Sequence, residues 1–182
     1  MKYLTLRGGQ RGASSGGLSN HQINTILRLT VDPRIPVIAA DKTDTLKPKP
    51  GSKQFAFIIN TNPSTSDGSG RDGFAPGHWT AVHFDNRDGR TSAEFYDPLG
   101  KPTPPALLNA MKIFAATINP KRKFLLKENR VARQPNGTTT CGHHVIKFLE
   151  DRYDGVSWAK ATGFEQNENN IQDEVKRYDS YI

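Results

Sequence analysis

The chain carries one cysteine, Cys141, within Thr138-Thr139-Thr140-Cys141-Gly142-His143-His144, and an apolar-periodic stretch follows directly. That context puts the thiol at a helix N-terminus. The partial positive charge there favours thiolate, more so beside an imidazolium. Free backbone N–H groups of the same turn can receive a developing oxyanion, and Gln134, which opens the preceding loop, offers a side-chain amide as a second donor. A lone helical cysteine can equally be a small buried hydrophobe. Spacing alone leaves nucleophile and packing residue both open.

A partner for the thiol is found in a hairpin. His78-Trp79-Thr80-Ala81-Val82-His83-Phe84 and Thr91–Tyr96 have strand character and flank the tight-turn sequence Asn86-Arg87-Asp88-Gly89. With the turn centred between Arg87 and Asp88, His78 and Asp97 are direct cross-strand neighbours. With Asp88-Gly89 as the two-residue turn they are diagonal neighbours, still on one face because side chains alternate with period two. Either register sets an imidazole beside a carboxylate at the open end of the hairpin, where the carboxylate orients the ring and raises its basicity.

Other chemistry is less well supported. Cys141, His143, His144, His78 and His83 form a pool of metal-ligand types. However, adjacent helical residues point about 100° apart, His78 and His83 face opposite sides of a strand, and no second cysteine exists, so no metal is expected. Gly68-Ser69-Gly70-Arg71-Asp72-Gly73 matches a dinucleotide-binding pattern formally, but a strand and not a helix follows it, so no nucleotide site is expected. Asn136-Gly137-Thr138 has the form of a glycosylation sequon and reads more simply as a turn before a helix.

The elements that position these residues follow from pattern. Ser19 and Gln22 form a capping box before a short amphipathic helix over 19–30, which Asp32-Pro33 stops. Strands are expected over 35–40 and 54–61, a helix over 104–118, a buried strand at Phe124-Leu125-Leu126, a strong helix over 141–153 and a polar helix over about 166–180. Trp79 and Trp158 are expected as core or cleft aromatics. Residues 1–18, rich in Gly and Ser, are expected to be a flexible segment ahead of one domain over 19–182. The layout is α+β.

Composition bounds the rest. The 182 residues suffice for one core, 35% are hydrophobic, and no apolar run approaches a membrane span. Met1–Arg7 gives way to a polar, glycine-rich stretch before any signal-type apolar run forms, which points away from secretion. A net charge of +7 would attract polyanions, but the basic residues are scattered, with Lys121-Arg122-Lys123 the densest run.

Taken together, Gly77-His78-Trp79, Tyr96-Asp97-Pro98-Leu99-Gly100, Gln134 and Thr140-Cys141-Gly142 resemble, in chain order, the motifs of the adenovirus-type cysteine proteases (adenains), distant relatives of the SUMO-specific proteases. The resemblance covers roughly residues 54–153. It implies a papain-like, adenain-like fold with a central, mostly antiparallel sheet flanked by helices. It also implies Cys141 as nucleophile, His78 as base, Asp97 as its orienter, Gln134 as oxyanion donor, and Trp79 and Gly142 at the substrate. No cofactor is required, although some adenains are stimulated by DNA and a short peptide; no second cysteine is present to tether a peptide.

The implied activity is a thiol endopeptidase that cleaves after Gly-Gly-type sites and matures viral capsid or core precursors. Its expected partners are a polypeptide substrate and, through the basic surface, DNA, with no membrane and a monomeric state. The implied location is the host nucleus or cytoplasm, or the virion. Leu6-Arg7-Gly8-Gly9, followed by Gln10, fits the cleavage pattern within the chain itself and marks Gly9–Gln10 as a self-cleavage candidate. The competing readings are an isopeptidase acting on ubiquitin or SUMO-like conjugates, and a non-catalytic basic protein that binds nucleic acid.

Overall fold

Ser19 caps the first helix, α1 (Asn20–Thr30): the Gln22 N–H donates to Ser19 Oγ at 3.3 Å and the Ser19 N–H to Gln22 Oε1 at 2.9 Å. Leu18, just before the cap, joins Ile23 in the core, as in a hydrophobic staple. The computed structural model describes residues 17–62, 77–87, 91–163 and 171–182. Gly9 and Gln10, the Gly68–Gly73 loop, the Asp88-Gly89 turn and residues 166–170 of the expected last helix lie outside these.

Among the described residues five strands stand in sequence order: β1 (Val37–Ala39), β2 (Gln54–Asn60), β3 (Trp79–Asp85), β4 (Ser92–Tyr96) and β5 (Leu125–Glu128). β2, β3 and β4 are antiparallel, whereas β1 runs parallel to β2 and β5 parallel to β4. The sheet is therefore mixed, antiparallel at its centre and parallel at both edges. Parallel neighbours need a crossover. A 3₁₀ turn (Ala40–Thr45) and loop supply one, and helix α2 (Pro105–Ile118) the other.

Both faces of the central strands are covered, which is why they read as nearly unbroken apolar runs. Ala56, Ile58, Ala81 and Tyr96 face α1 and helix α3 (Cys141–Tyr153), while Phe57, Ile59, Val82, Phe84 and Phe95 face α2. A short helix α4 (Trp158–Ala161) and helix α5 (Ile171–Asp179) complete the α3 side, where Tyr178 donates to Glu150 Oε2 at 2.7 Å. The segment expected as a buried strand differs in one respect. Phe124 is buried, but Leu125 and Leu126 are 62% and 40% exposed, because β5 is an edge strand and not an interior one. No helix among the described residues is long and apolar enough to cross a membrane.

A buried charge cluster fixes the far end of α3. Arg152 donates Nε to Glu94 Oε2 at 2.7 Å and Nη2 to Glu94 Oε1 at 3.0 Å, and lies 3.5 Å from Asp85. His83, opposite Glu94 in the β3–β4 register, bonds its carboxylate through Nδ1 at 3.0 Å. Burial pushes the Glu94 carboxyl up, but the His83 hydrogen bond and the Arg152 guanidinium hold it at about 2. Removing one partner of such a cluster strands the other charge. Arg152→Ala should therefore lower stability in denaturant titration by about 3–5 kcal/mol. A loss below about 1 kcal/mol would show that α3 is not held this way.

Candidate active site

The hairpin adopts the register in which Ala81 faces Tyr96 and Asp85 faces Ser92, so His78 and Asp97 are diagonal neighbours just beyond the strand ends. Their side chains meet, with His78 Nε2 2.7 Å from Asp97 Oδ1. The His78 backbone is held on the other side by Thr61, whose N–H donates to the His78 carbonyl at 2.8 Å and whose hydroxyl accepts from the His78 N–H at 3.2 Å.

Asp97 is fixed more tightly. Its Oδ1 also accepts the Leu99 N–H at 2.7 Å, and the Gly100 N–H donates to its carbonyl at 2.8 Å. Buried Asn129 clamps its backbone, Oδ1 accepting the Asp97 N–H at 2.8 Å and Nδ2 donating to the Asp97 carbonyl at 2.6 Å. Gly100 has φ 67, and a Cβ there would lie 2.8 Å from the Ala132 nitrogen. Only glycine lets the turn after Asp97 both close and pass this near the 130–132 backbone.

Cys141 is the first residue of α3, preceded by Thr140 at the cap position. The His78 ring and the backbone N–H groups of Trp79 and Gly142 lie beside the thiol and act on its ionisation. With Nε2 taken by Asp97, Nδ1 is the ring nitrogen left for sulfur. Burial drives the Cys141 pKa up, yet the His78 ring and the two N–H donors outweigh it and leave the thiol below its ordinary value. Burial likewise opposes protonation of His78, but Asp97 and then Cys141 raise it to about 9. The arrangement favours a protonated His78 ring beside a thiol that ionises more readily than an ordinary one.

Cys141, His78, Trp79 and Gln134 line one cleft of about 730 Å³. Gln134 Nε2 donates one hydrogen to the Thr138 carbonyl at 2.6 Å, which ties the loop together and leaves its second N–H for a ligand. Trp79 walls the cleft, its indole N–H donating to the Leu18 carbonyl at 2.8 Å. Gly142 sits behind the cleft: a Cβ on it would lie 3.0 Å from Leu18 Cβ, and its contribution at the site is the N–H toward sulfur. His143 turns to α5, with Nε2 3.0 Å from Asp179 Oδ1, and His144 lines a separate recess. Among the described residues no group of three His, Cys, Asp or Glu side chains could hold a metal ion.

Leu18 and Asn129 belong to the site and escape the motif reading. Leu18 had a sequence signal, the apolar residue just before the Ser19 cap. Asn129 had none, because its role depends on a contact between distant loops.

No protein-family model matches the chain, and no curated protein sequence matches it. Solved structures do. The ASFV pS273R protease superposes with TM-score 0.62 at 15% identity, over 87% of this chain and 66% of that one, so the chain spans just under two thirds of that protein. The SUMO protease Ulp1 gives 0.53 at 13% identity, over 91% of this chain and 76% of that one. ChlaDub1 from Chlamydia trachomatis gives 0.50 at 14% identity, over 91% and 81%. At such identities the likeness is one of fold: the chain has the α+β fold shared by SUMO-protease-like and adenain-like cysteine proteases.

With one cysteine in the chain, alkylation reads this site alone. The rate of Cys141 alkylation by iodoacetamide should reach half its plateau well below the ordinary thiol pKa of about 8.5, and His78→Ala should move the midpoint to that value or above. An unchanged midpoint in His78→Ala would show that the ring does not govern the thiol.

Proposed function

We propose that the chain is a cysteine protease in which Cys141 is the nucleophile, His78 the proton carrier, Asp97 the residue that orients His78, and Gln134 an oxyanion donor. The observation that carries this reading is the His78–Asp97 pair sharing one cleft with Cys141 at a helix N-terminus. The Cys141 thiolate attacks the scissile carbonyl carbon, and the carbonyl oxygen gains negative charge. The Cys141 N–H and the free Gln134 N–H stabilise that oxygen. Collapse of the adduct expels the amine, which takes its proton from His78 Nδ1, and leaves a thioester on sulfur. Water then gives a proton to His78 and attacks the thioester, releasing the acid and restoring the thiolate–imidazolium pair.

The finer reading is an endopeptidase that cleaves after Gly-Gly-type sequences and processes viral precursor proteins. It is supported by the motif resemblance and by the superposition on the ASFV protease. The second reading, an isopeptidase on ubiquitin-like conjugates, is supported by the likeness to Ulp1, a SUMO protease. Release of the Gly-Gly-linked partner from a ubiquitin-like fusion, with capsid-type peptides left intact, would favour the second. DNA or a peptide as activator remains compatible with the +7 charge, with any peptide held non-covalently.

Two outcomes are expected. Cys141→Ala should abolish hydrolysis of Gly-Gly-x peptides while thermal unfolding is unchanged. In the parent, kcat/KM should fall above about pH 9 as His78 loses its proton and fall again on lowering the pH, below the ordinary thiol range, as the thiolate is protonated. Hydrolysis retained by Cys141→Ala, or a rate still rising past pH 10, would remove the mechanism. Separately, intact-mass measurement should show the parent losing Met1–Gly9 and the Cys141→Ala chain keeping it. A parent of full mass under conditions of active peptide cleavage would remove the self-cleavage step alone.

A further inference from the structure

A second recess, distinct from the cleft, lies between α3, α4 and the loop before Gln134. Arg133, Lys147, Lys160, His144 and Asp151 line it, and at about 80 Å³ it is far smaller than the 730 Å³ cleft. Lys147 is neutralised by Asp151 one helical turn on. Arg133 and Lys160 have no carboxylate partner among the described residues. His144 is 7% exposed, and its Nε2 is buried with no hydrogen-bond partner. Orphaned buried polar atoms are uncommon and costly. Here one belongs to a side chain that lines a recess bordered by two cations with no carboxylate partner among the described residues.

The guanidinium is also placed by the fold. A Cβ on Gly163 would come within 2.5 Å of Arg133 Nη2, and Gly163 has φ 76, so glycine both permits the bend and makes room for the arginine. The Arg133 and Gln134 N–H groups both donate to the Pro98 carbonyl, at 2.7 and 3.0 Å, next to Asp97 in sequence.

We propose that this recess is a binding site for a compact tetrahedral oxyanion, a phosphate or a terminal phosphomonoester. Arg133 supplies a planar two-pronged donor, Lys160 a point charge from the rim, and the neutral His144 ring a single N–H. Burial first, then the charges of His143 and Arg133, hold His144 neutral down to about pH 4, so it acts as a dipole and adds no cation. The recess is too small for a nucleoside or a peptide, which separates it from the substrate cleft. A bound anion joins α3, α4 and the Arg133-Gln134 loop, and so couples to the site through the Pro98 carbonyl.

The experiment is a thermal-unfolding titration of the full chain with inorganic phosphate against chloride at constant ionic strength, repeated with phosphoserine. A saturable rise in Tm is expected, about 3–6 °C at ten times the apparent Kd. It should be absent in Arg133→Ala and at least threefold weaker in apparent affinity in Lys160→Ala, where an exposed side chain is removed and the core is untouched. A phosphoserine response equal to or stronger than that of phosphate assigns the site to a monoester, and a phosphate-only response assigns it to the free ion. No response in the parent, or an equal response in both variants, overturns the proposal and leaves only attraction to a chain of charge +7.

Discussion

The position of one sulfur atom depends on how α3 is seated. From Cys141 to Ile146 every residue of that helix is buried, and its other end is held by Arg152 against Glu94 and Asp85. Cys141 is thus placed by the core, and its thiol is carried on the same rigid element whose N-terminus supplies the electrostatic field. His78 and Asp97 come from the ends of two adjacent strands on which that helix packs. The packing that stabilises the fold is also what brings the three side chains together.

The electrostatics of the site is a contest that burial does not win. Burial opposes a charged His78 and a charged Cys141 alike, yet His78 is raised and Cys141 lowered. Each ion is stabilised by the other and by fixed neighbours: Asp97 for the ring, the Trp79 and Gly142 N–H groups for sulfur. Those neighbours are themselves immobilised, Asp97 by Asn129 and the Leu99 turn, Trp79 by the Leu18 carbonyl. The donors need not reorganise when charge moves, which is the condition under which they contribute most.

Much of this was legible in the chain itself because it is local or periodic. The Ser19–Gln22 capping box, the helix start at Cys141 and the facing of His78 and Asp97 depend on short spacings and on the period of two in a strand. The exposure of Leu125 and Leu126 was not legible, since an edge strand and an interior one have the same apolar run and differ only in what lies beside them. The Asn129 clamp and the Arg133–His144 recess were hidden for a related reason. Each joins residues that topology, and no spacing rule, brings together. His83 and Glu94 lie opposite each other on adjacent strands, but their partner Arg152 comes from a helix far along the chain.

The central claim is that a thiolate and an imidazolium coexist between α3 and the β3–β4 hairpin at neutral pH. Ultraviolet thiolate absorbance, titrated with pH beside the imidazole proton resonances and with a Cys141→Ser chain as blank, measures both ions at once. The account predicts thiolate absorbance that appears below the ordinary thiol range while His78 stays protonated to about pH 9. A neutral thiol and a neutral His78 ring at pH 7 would contradict it.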